Sequence, residues 1–353
     1  MQRRKTRVIK IGELGIGGDN PIRVQSMTNT PTRDTEKTLQ QIGMLAKAGC
    51  ELVRVAVPDM ESALSLPDIK KGSPVPVVAD IHFDHRLALK SLEAGVDGLR
   101  LNPGNIGGPD RVVRVVQEAG KRAVPIRIGV NSGSVEKILL EKFGGPTPRA
   151  MVESATGHIR ILEEQGFNLI KISLKSSSVP NTIEAYRLMA DMCDYPLHIG
   201  ITEAGTPLRG AAKSGVGLGI LLHMGLGDTL RVSLTAEPIQ EMTVAWEILR
   251  SLGLRHRGPQ IISCPTCART EIDLPALAQA VEDRLRQVEK VFTVAVMGCV
   301  VNGPGEAREA DIGLAGGRDC GIIFMKGQVV RKVRGNELIP EFMAELDRYL
   351  RLT

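Results

Sequence analysis

The sequence predicts an α/β chain, an N-terminal (β/α)8 barrel of the TIM type followed by a small α+β domain. Two patterns carry this. Eight short β-branched runs alternate with amphipathic helical stretches through the first part of the 353-residue chain, and eight such units over about 250 residues match the size of a (β/α)8 barrel. The alternation then breaks at Arg255-His256-Arg257-Gly258-Pro259, a polar and structure-breaking stretch of linker character. The expected division is a barrel at 1–254, a linker at 255–260 and a second domain at 261–353.

The expected barrel strands are Ile22–Met27, Leu52–Val57, Val75–Ile81, Gly98–Leu101, Pro125–Val130, Leu169–Leu174, Pro196–Ile201 and Leu230–Leu234. Between them lie amphipathic stretches such as Thr35–Ala48, Asp84–Ala94, Asp110–Ala119, Met151–Gln165 and Thr182–Met192. Gly49, Gly95, Gly120 and Gly166 end four of these, which is C-cap chemistry. The connection Ser132–Ala150, with Gly144-Gly145-Pro146, is long and reads as a lid, a binding loop or a surface insertion. A last barrel helix, Ile239–Leu252, precedes the linker. The second domain reads as a strand Gln260–Ser263, a helix Leu274–Val288, strands Phe292–Met297, Ala310–Leu314, Gly321–Met325 and Val329–Val333, and a closing helix Pro340–Leu350.

Composition narrows the function classes. The chain is 42% hydrophobic and 24% charged, ordinary for a globular protein that buries its own core. No apolar run approaches the roughly 20 residues of a membrane span, and the basic start Met1-Gln2-Arg3-Arg4-Lys5-Thr6 has no apolar stretch behind it. A cytoplasmic protein is expected. Three tyrosines, six phenylalanines and one tryptophan leave few platforms for stacking single-stranded nucleic acid. The net charge of +5 suits an acidic small molecule or an acidic protein partner, or is plain surface charge.

Polar residues recur in the barrel strands, which should be almost continuously apolar. Strand two has Arg54. Strand three has Asp80 and His82, strand four Arg100 and Asn102, and strand five Arg127 and Asn131. Strand six has Lys171, Ser173 and Lys175, and strand seven has His198 with Glu203 beyond it. Strand eight has Arg231 and Ser233, with Glu237 beyond. Even spacing puts the residues of one strand on one face. That face is the inner one, because barrel active sites form at its C-terminal mouth. Arg54, Arg100, Arg127, Lys171, Lys175 and Arg231 should therefore converge. Asp80, Glu203 and Glu237 are too few to neutralise them. Excess buried cation calls for an anionic ligand, and several arginines favour bidentate contact with oxyanions.

Two glycine-rich stretches carry less. Gly15-Ile16-Gly17-Gly18 lies in a hairpin-like N-terminal segment, and Gly215-Val216-Gly217-Leu218-Gly219 reads as preceding a helix; neither fits a dinucleotide site. Asn102-Pro103-Gly104-Asn105, directly after strand four, offers backbone N–H groups to a phosphate.

The six cysteines do not suggest a disulfide framework. Cys50, Cys193 and Cys320 read as small buried hydrophobes. The other three are spaced for a metal: Cys264-Pro265-Thr266-Cys267, then Cys299, with Glu306 seven positions on. Three thiolates hold an iron–sulfur cluster but leave one iron without a cysteine, and Glu306 is the expected fourth ligand. An oxygen donor is harder and more easily displaced than a thiolate, so this position is exchangeable, as in catalytic metal sites. Backbone N–H groups of the cysteine turn would tune such a cluster. A structural zinc site is the competing reading, although zinc prefers a fourth Cys or His and no His lies near Cys299. A thioredoxin-like pair is a third, and it leaves Cys299 and Glu306 idle.

Five segments together resemble a known family. They are Val24-Gln25-Ser26-Met27-Thr28-Asn29-Thr30, Val78-Ala79-Asp80-Ile81-His82-Phe83, Arg100-Leu101-Asn102-Pro103-Gly104-Asn105, Ser263-Cys264-Pro265-Thr266-Cys267 and Met297-Gly298-Cys299-Val300-Val301-Asn302-Gly303-Pro304-Gly305-Glu306-Ala307. The chain is similar, over nearly its whole length, to the bacterial 4-hydroxy-3-methylbut-2-enyl diphosphate synthases of the methylerythritol phosphate route to isoprenoids. The resemblance implies a two-electron reductive ring opening of 2-C-methyl-D-erythritol 2,4-cyclodiphosphate with loss of a hydroxyl as water. It implies a [4Fe-4S] cluster held by Cys264, Cys267, Cys299 and Glu306, and electrons from flavodoxin or ferredoxin. It also implies a homodimer in which the cluster domain of one subunit closes on the barrel of its partner. Within that frame Glu237 is the first candidate for a barrel-side acid and Glu203 the second, and Asn302 is a candidate substrate contact. A zinc-stabilised barrel that binds or transfers a phosphate ester, with a barrel like that of pterin-binding synthases, is the alternative. A nucleic-acid module is a more distant one.

Overall fold

A computed structural model describes residues 2–102, 105–106, 108–286, 288–299, 307–317, 319–334 and 337–352. The chain divides into two compact units, Met1–Arg255 and His256–Thr353.

The first unit opens with a hairpin of β1 (Ile9–Ile11) and β2 (Leu14–Ile16). Ile9, Ile11 and Ile16 pack with Leu52 and Val78, so the hairpin covers the N-terminal end of the barrel. Eight parallel strands follow: β3 (Arg23–Met27), β4 (Leu52–Ala56), β5 (Val77–Asp80), β6 (Gly98–Leu101), β7 (Ile126–Asn131), β8 (Ile170–Lys175), β9 (His198–Ile199) and β10 (Thr229–Leu230). They run in the order β8-β7-β6-β5-β4-β3-β10-β9, and a parallel bridge between Ile172 and Leu197 joins the two ends. Every residue of β5, β6 and β8 is buried. That is the burial expected of strands lined by the barrel interior on one side and by helices on the other.

The helices are α1 (Thr35–Lys47), α2 (Met60–Gly72), α3 (His85–Glu93), α4 (Pro109–Lys121), α5 (Lys137–Phe143), α6 (Pro148–Glu163), α7 (Val179–Met192), α8 (Pro207–His223) and α9 (Pro238–Ser251). Their starts follow side-chain chemistry. Asp34, Asp59 and Thr147 each cap an orphan backbone N–H, on Lys37, Ser62 and Ala150. In α1, Thr38, Gln41, Ile42 and Leu45 are buried, the i, i+3, i+4, i+7 stripe that seats a helix on a sheet.

Four local expectations are corrected. The segment Ser132–Ala150 is not a bare loop: it holds a 3-10 turn at Ser132–Ser134, then α5. The glycines 215–219 lie inside α8 rather than before it. Gly217 is there for contact, since a Cβ would sit 2.7 Å from Ile201 Cδ1. The last two barrel strands are shorter than expected, ending at Ile199 and Leu230. Cys320, expected to be buried, is exposed at the start of its strand, and Cys193 is half-buried; Cys50 is buried.

The second unit is a five-stranded sheet in the order β11-β12-β13-β14-β15: β11 (Gln260–Ser263), β12 (Thr293–Met297), β13 (Ile312–Ala315), β14 (Cys320–Met325) and β15 (Gln328–Arg334). The first three strands are parallel and the last two antiparallel. Helices α10 (Leu274–Leu285) and α11 (Leu338–Leu352) cover one face. Leu277, Val281, Phe342 and Leu346 meet Val294, Val296, Ile312 and Leu314 in its core.

Candidate functional site

The even spacing of polar residues becomes a row of charges inside the barrel. In the ladder Asp80 stands opposite Arg100, Arg100 opposite Arg127, and Arg127 opposite Lys171. Asp80, Arg100, Arg127, Lys171, Ser173, Lys175 and His198 are all buried. Asp80 is the hub of the row. Its carboxylate lies 3.2 Å from Arg100 Nη1, 3.5 Å from Arg54 Nε and 3.4 Å from His82 Nε2. Burial by itself would raise the Asp80 pKa; Arg54, the His82 hydrogen bond, Arg100 and Arg127 outweigh it and hold the carboxyl well below the usual range.

The cations across the barrel have less relief. Among the described residues no carboxylate lies within ion-pair distance of Arg127, Lys171 or Lys175. Burial, reinforced by the neighbouring arginines, pushes Lys175 well below the usual lysine value. Burial and then Arg127 do the same to Lys171. Arg54, despite Asp80, is brought down to about 10 by burial and by Arg231 and Arg100. His198 is fully buried and joins Lys175 Nζ (3.3 Å) to the Thr229 hydroxyl (2.8 Å). Burial first, then Arg127, Lys175 and Lys171, hold its imidazole well below the usual value, so it is neutral. Tyr186 fixes this stack: its hydroxyl donates to the His198 carbonyl and accepts from the Leu174 N–H.

Several donors are left over. The Nε atoms of Arg100, Arg127 and Arg231, with Nε2 of Gln25, are buried and meet no acceptor among the described residues. Unmatched buried donors are costly. Two glycines make room for the cations. A Cβ on Gly129 would lie 2.7 Å from Arg100 Nε, and one on Gly200 would lie 2.6 Å from Lys175 Nζ. The strand backbone is bare where these side chains cross it.

Other expected residues rim the barrel. His82 is half-exposed, and Asn102 is buried at the end of β6. Asn131 precedes the 3-10 turn, its N–H bonded to Ser134 Oγ at 3.0 Å. Arg231 and Ser233 lie past the end of β10 and are partly buried. Glu203 and Glu237 are exposed, the latter as the residue before α9. They do not neutralise the interior. A carboxylate that does pair with one of these cations is Glu241, 2% exposed and 3.3 Å from Arg231 Nη2. Sequence reading missed Glu241, Gln25 and Tyr186, which sit among ordinary helix and strand residues; Gly129 within β7 and Gly200 just after β9 were the legible hint of close packing.

In the second unit the cysteines occupy two adjoining strand ends. β11 and β12 are parallel with Ser263 opposite Val296. Cys264 follows β11, and its Sγ accepts the N–H of Gly298 at 3.2 Å, just before Cys299. Cys267 is exposed. Its thiol pKa is lowered, chiefly by the backbone N–H of Arg269, with help from the Thr270 hydroxyl and the Arg269 charge. Cys299 is buried. All three thiols are free of disulfides. Their donor type, the N–H bonds to sulfur and their placement on neighbouring turns fit an iron–sulfur cluster. The described side chains do not by themselves close a ligand sphere, since no group of three His, Cys, Asp or Glu among them is gathered to share a metal. Glu306 and Asn302 lie outside the described residues, as do Pro103 and Gly104 of the expected phosphate loop.

No helix among the described residues is long and apolar enough to cross a membrane. The barrel is similar in fold to a 3-dehydroquinate dehydratase from Geobacillus kaustophilus, with a TM-score of 0.51 and 13% identity over 71% of this chain and 99% of that one. Full-length relatives are much nearer. A protein of Maridesulfovibrio salexigens named 4-hydroxy-3-methylbut-2-en-1-yl diphosphate synthase (flavodoxin) is 69% identical over 99% of this chain and 98% of its own length. One of the same name from Nitratidesulfovibrio vulgaris is 63% identical over 99% of this chain and 91% of its own. The GcpE TIM-barrel domain matches residues 6–246 and the GcpE protein C-terminal domain matches residues 260–348. The chain belongs to the GcpE family.

Proposed function

We propose that this chain makes 4-hydroxy-3-methylbut-2-enyl diphosphate in isoprenoid biosynthesis by reductive ring opening and dehydroxylation of 2-C-methyl-D-erythritol 2,4-cyclodiphosphate. It is an iron–sulfur oxidoreductase that takes electrons from flavodoxin, the donor named for its relatives. The observation that carries the reading is the charge imbalance of the barrel. Six cations, Arg54, Arg100, Arg127, Lys171, Lys175 and Arg231, face two buried carboxylates, Asp80 and Glu241; a third buried carboxylate of the barrel, Asp228, is already paired with Arg3. A cyclic diphosphate supplies the missing negative charge and the acceptors for the unmatched N–H groups. The zinc-stabilised phosphate-transfer alternative is not favoured, because the near relatives are named for a flavodoxin-dependent synthase.

The residues then divide the work. Arg100, Arg127, Lys171, Lys175, Arg231 and Arg54 bind the phosphates. Asp80 holds Arg54 and Arg100 in place, while His82, Asn102, Asn131, Ser173, Ser233 and Asn302 orient the sugar-derived ring and the fully buried His198 serves it through Lys175. Cys264, Cys267, Cys299 and Glu306 would hold the [4Fe-4S] cluster, which when bound supplies electrons one at a time and a Lewis-acidic iron. Opening the ring breaks one C–O bond to phosphate, and a second C–O bond breaks as the hydroxyl departs. Two electrons enter the carbon skeleton. The departing hydroxyl takes a proton and leaves as water; Glu237, with Glu203 as the second candidate, delivers that proton from the mouth. The buried side chains crowd the interior and limit water around the reacting carbons. The working form is a cytoplasmic homodimer in which the second unit of one chain serves the barrel of its partner, a reading that rests on the family resemblance.

The test is made without oxygen. The wild-type protein is given reduced flavodoxin and the cyclodiphosphate, and iron and product are measured together. Conversion that tracks iron content supports the reading. Full activity in colourless, zinc-loaded protein would rule it out.

A further inference from the structure

One buried carboxylate has no part in the reaction described above. Glu241 lies in the first turn of α9 and is 2% exposed. One of its oxygens accepts from Arg231 Nη2 at 3.3 Å and from the backbone N–H of Leu234 at 3.1 Å. The other accepts from the Ser26 hydroxyl at 3.2 Å. Three parts of the barrel therefore meet on one side chain: β3, the segment after β10, and α9.

That segment needs holding. Arg231 still bonds Ile199 through its backbone N–H at 3.0 Å, but the chain beyond it leaves the ladder. Its guanidinium lies near Arg54, which it repels. Left alone, a flexible cation among like charges would turn outward to water. Glu241 binds one edge of the guanidinium, and Nε stays buried without an acceptor.

We propose that Glu241 is a positioning residue for anion binding: it fixes Arg231 and the chain after β10 so that Arg231 is presented to the diphosphate. The proposal rests on the barrel reading given above. It differs from a plain stabilising role, because Glu241 acts through one named cation.

The test uses the iron-loaded full-length protein. Glu241→Gln keeps the shape and removes the charge. The expected result is a rise of about tenfold in KM, with kcat within about twofold, since binding and not chemistry is disturbed. Affinity for inorganic pyrophosphate should weaken in parallel, with iron content unchanged. In an Arg231→Lys background Glu241→Gln should add little, because the two residues act as one unit. An unchanged KM, or a full and additive effect in that background, overturns the proposal. Should Glu241→Gln not fold, Ser26→Ala frees the same carboxylate from its other side. A KM increase that vanishes with Arg231→Lys supports the role; no increase, or an additive one, overturns it. Wild-type protein that binds no pyrophosphate would instead overturn the barrel reading itself.

Discussion

Within its ring of parallel strands the barrel buries charge, whereas the five-stranded sheet holds thiols on turns, with Cys267 open to solvent. The barrel side chains are crowded, share one hub at Asp80 and shift each other's protonation over the whole interior. The cysteine turns act locally: the Arg269 N–H lowers Cys267, and the Gly298 N–H meets Cys264. The difference follows from the partner each region expects. A phosphate ligand must bring its own negative charge into a low-dielectric site, so the protein stores cations there at some cost in stability. A sulfur-ligated group needs only short-range donors and access for electrons.

If the two regions are this distinct, damage to one should spare the other. The largest effect is expected for Cys267→Ser. Iron content and turnover should collapse, while affinity for inorganic pyrophosphate stays within about twofold. A matching loss of pyrophosphate affinity would show that the regions are not separable. Next comes Asp80→Asn, which strips Arg54 and Arg100 of their shared carboxylate. Denaturant unfolding should show a loss of about 3–5 kcal/mol, and a loss below about 1 kcal/mol would mean the hub is dispensable. The sign with pH is set by the depressed Asp80 pKa. Its contribution is complete above the ordinary carboxyl value near 3.9 and drains away as the pH falls toward the folded-state value.

Arg127→Leu removes a cation that has no carboxylate within ion-pair distance among the described residues. Losing charge-assisted bonds to a bound phosphate should raise KM for the cyclodiphosphate about 10–100-fold, with iron content unaltered. An unchanged KM would remove Arg127 from the binding surface. The smallest effect concerns protons. Lys171 and Lys175 are held below the usual lysine value. Their burial costs stability most fully below their folded-state pKa, and that cost fades as pH rises toward about 10.4. A bound diphosphate reverses the bias, so pyrophosphate binding should take up protons and weaken with rising pH. Calorimetry in two buffers of different ionisation enthalpy measures this; proton release would contradict it.

Most of this architecture was legible in the residues. Eight β-branched runs became eight strands, and the even spacing within Arg127 to Asn131 and Lys171 to Lys175 did mark positions in adjacent strands that pair. Short-range patterns fail where a long-range contact decides. Leu230–Leu234 looked like one strand, but Glu241 takes the Leu234 N–H and the chain leaves the sheet after Leu230. Glu203 and Glu237 drew attention because they follow strand ends, yet both are exposed. Glu241, one helical turn further on, resembles any acidic residue of a helix start, and only its partners Ser26 and Arg231 set it apart. The glycines 215–219 read as preceding a helix because the packing of Gly217 against Ile201 is invisible along the chain.

The most direct test of the account is a single anaerobic titration: wild-type chain reconstituted with increasing iron and sulfide, then assayed for conversion of the cyclodiphosphate by reduced flavodoxin. Product formation should rise in proportion to iron and saturate at about four irons per chain. Activity that is complete without iron, or absent at full loading, would contradict it.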